Sequence, residues 1–200
     1  MMKRRRMIKT IKRIFVLASS VLALACGDAQ NEFSSARCFF VFDNAVHQNS
    51  VLSAAMTPHA HVFATVKKTT TWVGGHQVIY LSFTSNQGGQ TEASKANAVD
   101  LKRTILLGLG NGLVVGYGHL SDPLTFYAYD LECPNCFSAD VIPQKDFFLT
   151  IDGNGTATCS TCRRQYDLNN GGIITAGDRG HKLIRYRAST SGPLGVLAVN

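Results

Sequence analysis

The chain has 200 residues, enough for one ordinary domain with a hydrophobic core and too few for a large catalytic domain with a second module. Its formal charge is +7, but seven of its 20 lysines and arginines lie in the first thirteen residues. Residues 26–200 hold 13 basic and 13 acidic residues, so the charge gives no reason to expect a nucleic-acid partner.

The N-terminal region has the pattern of an export signal. Its basic residues are followed by the short apolar run Ile14–Ala25 and then by Cys26. The run is too short to remain as a membrane-spanning helix. The segment LALAC, Leu22–Cys26, resembles a bacterial lipobox, whose cysteine is lipidated and becomes the mature N-terminus. We therefore predict a lipoprotein signal peptide over residues 1–25, lipidation of Cys26 and a polar tether over residues 26–36. The alternative is an ordinary secretory signal that is cleaved nearby and leaves Cys26 unmodified.

The rest of the chain has the pattern of an all-β fold built of antiparallel hairpins, because short apolar and β-branched runs recur between turn signals. The predicted strands are Arg37–Asp43, His61–Lys68, Gln77–Phe83, Gly112–Gly118, Thr125–Leu131, Phe147–Ile151, Lys182–Ala188 and Leu194–Val199. The predicted tight turns are Asn111–Gly112, Asp152–Gly155, Asn169–Gly172, Gly177–Gly180 and Ser191–Pro193. One segment, Gln90–Thr104, is either a short helix capped by Thr91 or a loop followed by a strand.

Four cysteines form two C-x-x-C pairs, Cys133 with Cys136 and Cys159 with Cys162. Each pair can offer two sulfurs from one tight turn, so this spacing predicts a tetrahedral metal site with four thiolate ligands. Disulfide bonds are the alternative, since the cell envelope is oxidising. Cys38 lies in an apolar run, where a free cysteine behaves as a small core residue.

From about Asn111 to Val199 the chain resembles a Rieske domain, the β-fold in which two loops hold a [2Fe-2S] cluster. The resemblance is carried by TFYAYDLECPNC (Thr125–Cys136), CSTCRRQYDLNNGG (Cys159–Gly172) and KLIRYRASTSGPLGVLAV (Lys182–Val199). Tyr166, Asp167, Gly171, Leu183, Tyr186, Leu194 and Val199 stand where that pattern has such residues. The resemblance implies a Rieske-like β-sandwich with two metal-binding loops, in a single domain over residues 37–200 whose metal-loop part spans about 131–188.

The ligands depart from the Rieske pattern, which has Cys-x-His in the first loop and Cys-x-x-His in the second. Here Asn135 occupies the first histidine position, and Cys162 replaces the second histidine. The high potential of a Rieske centre depends on its two histidines, so a cluster with four cysteines would have a low potential. Zinc is our first prediction, because closed sites with four cysteines are common structural zinc sites. A [2Fe-2S] cluster or a single iron is the alternative. Either of Arg163 and Arg164 would offset the thiolate charge.

No catalytic constellation is recognisable, so we do not predict an enzyme. The histidine pair His59 and His61 would project both rings from one face of a strand, and His119 follows a predicted strand, but we assign no ligand role to any histidine. We expect a protein of the bacterial cell envelope, anchored to a membrane by lipid, with a zinc-stabilised structural or binding domain. The alternative is an electron-transfer protein of low potential. Its expected partners are the membrane and an envelope protein of unknown identity.

Overall fold

Antiparallel strands dominate residues 32–200, the part of the chain that the structure, a computed structural model, describes. The predicted signal peptide, Cys26 and residues 26–31 of the predicted tether lie outside the described residues. Near the start of this part, the backbone N–H of Ser34 donates to the carbonyl of Arg185 at 2.8 Å, and the guanidinium of Arg185 lies 4.9 Å from the ring centre of Phe33. Residues 33 and 34 therefore already pack against the β-structure. No helix within residues 32–200 is long and apolar enough to cross a membrane.

Three antiparallel sheets account for the thirteen strands of the described residues. The six-stranded sheet contains, in spatial order, β11 (Arg185–Tyr186), β6 (Phe126–Asp130), β5 (Gly112–Tyr117), β2 (Phe63–Val73), β3 (His76–Ser85) and β4 (Thr91–Lys95). The four-stranded sheet contains β10 (Ile173–Ala176), β9 (Gln165–Asp167), β8 (Thr156–Cys159) and β7 (Leu149–Ile151). The three-stranded sheet contains β1 (Phe40–Asp43), β13 (Val196–Val199) and β12 (Ala188–Thr190). The prediction of an all-β fold is confirmed.

Two hydrophobic cores lie on opposite faces of the six-stranded sheet. Successive side chains of a strand point to opposite faces, and β5 is buried on both. Leu113 and Val115 pack into the first core with β1, β13 and the helical segment that follows β1. Val114 packs into the second core, where the hydroxyl of Tyr129 donates to the carbonyl of Leu168 at 3.0 Å. The second core joins the six-stranded sheet to the four-stranded sheet.

Two short helices that the sequence did not predict follow β1. They are α1 (Asn44–His47) and α2 (Ser50–Ala55). The carboxylate of Asp43 accepts the N–H of Ala45, and the side-chain oxygen of Asn49 accepts the N–H of Leu52, so each helix has an N-cap. Helix α2 buries its apolar side chains in the first core.

Each of the eight predicted strand segments contains a strand, but Gln90–Thr104 adopts neither of its two predicted alternatives, a short helix or a loop followed by a strand. This segment forms β4, which pairs with β3 from Thr91 opposite Thr84 to Lys95 opposite Tyr80, and then a 3-10 helix at Asp100–Lys102. Pairing with the edge of β3 gives the segment a full ladder of hydrogen bonds, and this tertiary contact overrides its helix propensity.

The predicted hairpin at Asn111–Gly112 is only partly correct. Asn111 has φ +62 and ends a turn before β5, as expected of such a residue. The segment before the turn is not a strand that pairs with β5, because Leu106 forms an isolated bridge with Phe39 instead. The turns predicted at Asp152–Gly155, Asn169–Gly172 and Ser191–Pro193 do connect β7 to β8, β9 to β10 and β12 to β13.

Candidate metal centre

The first cysteine pair lies just beyond the end of β6, where the six-stranded and four-stranded sheets meet. An isolated bridge pairs Glu132 with Phe148, and the N–H of Cys133 donates to the carbonyl of Phe147 at 3.0 Å. These contacts place the first loop beside β7. Because β7 pairs with β8 so that Leu149 lies opposite Cys159, the second cysteine pair begins at the same end of the four-stranded sheet.

Each C-x-x-C pair forms a tight turn around its first cysteine. The carbonyl of Cys133 accepts the N–H of Cys136 at 3.1 Å, and the carbonyl of Cys159 accepts the N–H of Arg163 at 2.9 Å. In addition, the N–H of Asn135 donates to the sulfur of Cys133, and the N–H of Arg164 donates to the sulfur of Cys162. Such N–H donors favour the negatively charged thiolate that a metal ion requires.

The four sulfur atoms converge on one point. All lie within 4.8 Å of one another, and among the described residues they are the one group of three or more metal-ligating side chains placed in this way. Sγ of Cys133 lies 3.7 Å from that of Cys162, and Sγ of Cys159 lies 3.8 Å from that of Cys136. A tetrahedral ion with metal–sulfur distances of about 2.3 Å separates its sulfurs by about 3.8 Å. Both short contacts join one loop to the other, and both are far longer than a disulfide bond.

Burial and neighbouring thiols make it unfavourable for the group to ionise without a cation. Cys133 and Cys159 are buried, whereas Cys136 and Cys162 are partly exposed. Burial, with a smaller effect of the neighbouring cysteines, raises the pKa of Cys133 and of Cys136. For Cys162 burial acts in the same direction, but hydrogen bonds from the N–H and guanidinium of Arg164, together with those from Cys136 and Cys159, more than offset it and lower the pKa to about 6. A bound cation would remove the cost of placing four thiolates together.

Asn135 lies between the two cysteines of the first loop, and its side chain fastens this loop to other parts of the chain. Its side-chain amide donates to the hydroxyl of Tyr166 at 2.9 Å and to the carbonyl of His181 at 2.8 Å, and its oxygen accepts the N–H of His181 at 2.9 Å. The Tyr166 hydroxyl in turn lies 3.3 Å from the sulfur of Cys133. One side chain therefore connects the first loop to β9 and to residues just before β11.

Arg164 fastens the second loop to the same stretch of chain. Its Nε donates to the carbonyl of Asp178 at 3.0 Å, and an Nη donates to the carbonyl of Arg179 at 3.2 Å. We call residues Gly177–His181 the covering segment, because both loops bind it. A Cβ at Gly180 would collide with the side-chain oxygen of Asn135, so glycine is required for this close approach.

The structure brings Cys133, Cys136, Cys159 and Cys162 together and leaves Cys38 apart. Cys38 is 8% exposed in the first core, as its apolar surroundings predicted. Of the two arginines proposed to offset the thiolate charge, Arg164 contacts a sulfur, whereas Arg163 is exposed at the turn with φ +60.

The strand prediction for the histidine pair is wrong. His59 and His61 both precede β2 and have positive φ, at +62 and +55. His119 lies against His61, with ring centres 5.1 Å apart. No pattern in the sequence connects these two residues, because they are 58 positions apart.

Comparison of the chain with protein-family models, curated proteins and solved structures finds no match.

Proposed function

We propose that Cys133, Cys136, Cys159 and Cys162 bind one zinc ion, which stabilises a β-domain with a structural or binding role. The observation that carries this proposal is the convergence of the four sulfurs within 4.8 Å, with the shortest contacts running between the loops. A single ion bound by both loops would join the end of β6 to the β8–β9 hairpin and so tie the two sheets together.

The spacing of the sulfurs supports a single ion over a [2Fe-2S] cluster. A two-iron cluster places two sulfurs on each iron, so sulfurs on different irons lie farther apart than sulfurs that share one ion. Here every pair is within 4.8 Å. A single iron with four thiolates has the same ligand set as zinc and is the second candidate. It is favoured by the partial exposure of Cys136 and Cys162, because an electron could pass to a partner through these two side chains.

Zinc is supported by the chemistry of the ligands and by the way the site is closed. Closed four-cysteine sites are common structural zinc sites, with no position left for a substrate. The side chains of Asn135 and Arg164 also bind the covering segment, one from each loop, and these contacts hold the loops in place. A redox-silent ion also suits a protein that folds after export, since it needs no prior cluster assembly.

We infer two further properties from the sequence. The two-loop site is Rieske-like in the order of its motifs, with Asn135 and Cys162 in place of the histidines. The domain is held at a membrane of the bacterial envelope by lipid on Cys26, where it meets an envelope partner, and it is not an enzyme. Incorporation of a labelled fatty acid that is lost in a Cys26→Ser variant is the expected result for the lipid anchor.

The metal is tested by purifying the protein without oxygen, counting metals and recording its visible spectrum. We expect one zinc per chain and no visible absorption. Cys162→Ala should lose the metal, whereas Cys38→Ala, the matched change at a cysteine of the first core, should keep it. Thiolate-to-iron absorption bands that bleach on reduction would replace zinc by iron. Full metal content in Cys162→Ala would reject the four-cysteine site.

A further inference from the structure

A second group of side chains forms a polar cleft, and none of the four cysteines lines it. The cleft has a volume of about 520 Å³ and lies where the chain before β2, the end of β5 and the four-stranded sheet come together. Its lining residues include His61, His119 and Asp167, and no lysine or arginine. A cleft with two imidazoles and one carboxylate but no fixed positive charge is suited to a cation rather than to an anion.

The spacing of the two imidazoles fits one metal ion. The ring centres of His61 and His119 are 5.1 Å apart, and the ring planes are inclined by 63°. An ion bound at about 2.0–2.1 Å by one nitrogen of each ring, with a tetrahedral angle between them, separates the ring centres by about 5 Å. The observed separation of the ring centres therefore matches the one that a shared ion requires.

The backbone holds both histidines in place at some cost. His61 has φ +55, in the left-handed region that residues with a Cβ rarely adopt. The side chain of Gln87 stabilises it by donating to the carbonyls of His61, at 3.0 Å, and Gly153, at 2.7 Å. On the other side, Gly118 brings the chain so close to the carbonyl of Asn169 that a Cβ would lie 2.7 Å from it.

We propose that His61 and His119 bind a divalent transition-metal ion in this cleft, as a second site independent of the cysteine centre. Asp167 lines the cleft without forming a three-ligand cluster with the histidines, so it supplies negative charge and a position for metal-bound water. Water completes the coordination of such an ion, and the open cleft has room for it. Imidazole ligands favour zinc, copper and nickel over magnesium and calcium.

Zinc is the probe for the test, because it causes no oxidation of the thiols. The full-length protein, with its cysteine centre already saturated, is titrated with zinc by calorimetry while the histidine ring signals are followed by NMR. We expect one further equivalent to bind and the ring signals of His61 and His119 to shift. His61→Asn removes the imidazole but keeps a residue that tolerates positive φ, and His119→Ala removes the other ring. Each should weaken binding by more than the roughly 10–100-fold loss that changes beyond the direct ligands cause.

Two controls separate this site from the cysteine centre and from general effects of substitution. His59→Asn changes an exposed histidine of the same backbone conformation, φ +62, and should leave the second equivalent unchanged. Cys162→Ala should lose the first metal and keep the second. A protein that binds no further zinc, or whose second equivalent is unaffected by both His61→Asn and His119→Ala, would overturn the proposal. Neither result would affect the cysteine centre.

Discussion

Asn135 lies between two of the four cysteines, and its side chain holds their loop in place without being one of the four candidate ligands. Its amide makes three hydrogen bonds, two to the backbone of His181 and one to the hydroxyl of Tyr166. The same hydroxyl contacts the sulfur of Cys133, so the hydrogen bond from Asn135 to Tyr166 helps to orient this sulfur. Metal affinity commonly depends on such partners beyond the ligands themselves.

We therefore expect Asn135→Ala to destabilise the domain by about 1.5–4.5 kcal/mol, since it removes three hydrogen bonds and each contributes a net stabilisation of about 0.5–1.5 kcal/mol. The variant should also release its metal faster, because the first loop is no longer fastened to the covering segment. Urea unfolding measures the first effect, and transfer of the metal to a coloured chelator measures the second.

Asn154→Ala is the matched control, because Asn154 is exposed in the turn between β7 and β8 and lies away from the cysteine loops in sequence. It should change stability by less than about 0.5 kcal/mol. Equal stability and equal release rates for the Asn135 and Asn154 variants would show that the amide does not support the site.

At this scale the sequence predicts the ligands but not their supports. Two C-x-x-C pairs are a local pattern, and local spacing was enough to select the four cysteines. The contact between Asn135 and His181 joins residues 46 positions apart, and the hydrogen bonds of Arg164 reach Asp178 and Arg179. Such contacts depend on how the sheets pack, and a single sequence carries no signal for them.

At the scale of elements, the turn between β7 and β8 positions the strand that ends in Cys159. The carboxylate of Asp152 accepts the N–H groups of Asn154 and Thr156, which closes the turn. Gly155 completes it with φ +79, and the backbone there passes so close to its neighbours that a Cβ would lie 2.8 Å from the side chain of Asn169 and 2.9 Å from that of Phe63.

A comparison of two glycines separates backbone strain from crowding in these turns. Gly171, in the turn between β9 and β10, has φ +64 but nothing within 4 Å of a Cβ. We expect Gly171→Ala to cost about 1–2 kcal/mol, the penalty for left-handed backbone. Gly155→Ala should cost about 1–3 kcal/mol more, because it also overpacks the neighbours. Thermal unfolding measures the difference, and equal losses for the two variants would mean that the neighbours of Gly155 yield freely.

The elements predicted correctly from the sequence are those with strong local signals. Apolar runs and turn residues marked eight strands, but five others, including β8 and β9 of the cysteine hairpin, are short and mostly polar at their ends. Helices α1 and α2 are four and six residues long, too short to show a helical period. β4 forms because the backbone of β3 offers it hydrogen-bonding partners, and this pairing depends on the assembled sheet and not on the local sequence of β4.

At the scale of the whole molecule, the two cores differ in what supports them. The first core is closed by aromatic and aliphatic side chains of the six-stranded and three-stranded sheets and of α2. The second core includes Cys133 and Cys159 among its buried members, so the candidate metal site forms part of its boundary. A structural zinc site of this type has a binding free energy of about 10–16 kcal/mol, comparable to the entire stability of a domain of about 5–15 kcal/mol.

Removal of the metal should therefore unfold the second core and leave the first largely intact. Hydrogen exchange followed by mass spectrometry is the suitable measurement, because the single tryptophan, Trp72, is 72% exposed at the end of β2 and its fluorescence would respond little. In the chelated protein we expect amide protection to be lost from β7 to β10 and from both cysteine loops, and to persist in β2, β3 and β5. Re-addition of zinc should restore the lost protection. Unchanged protection after complete metal removal would show that the four-stranded sheet is held by its side chains alone, whereas uniform loss would show that the two cores unfold as one unit.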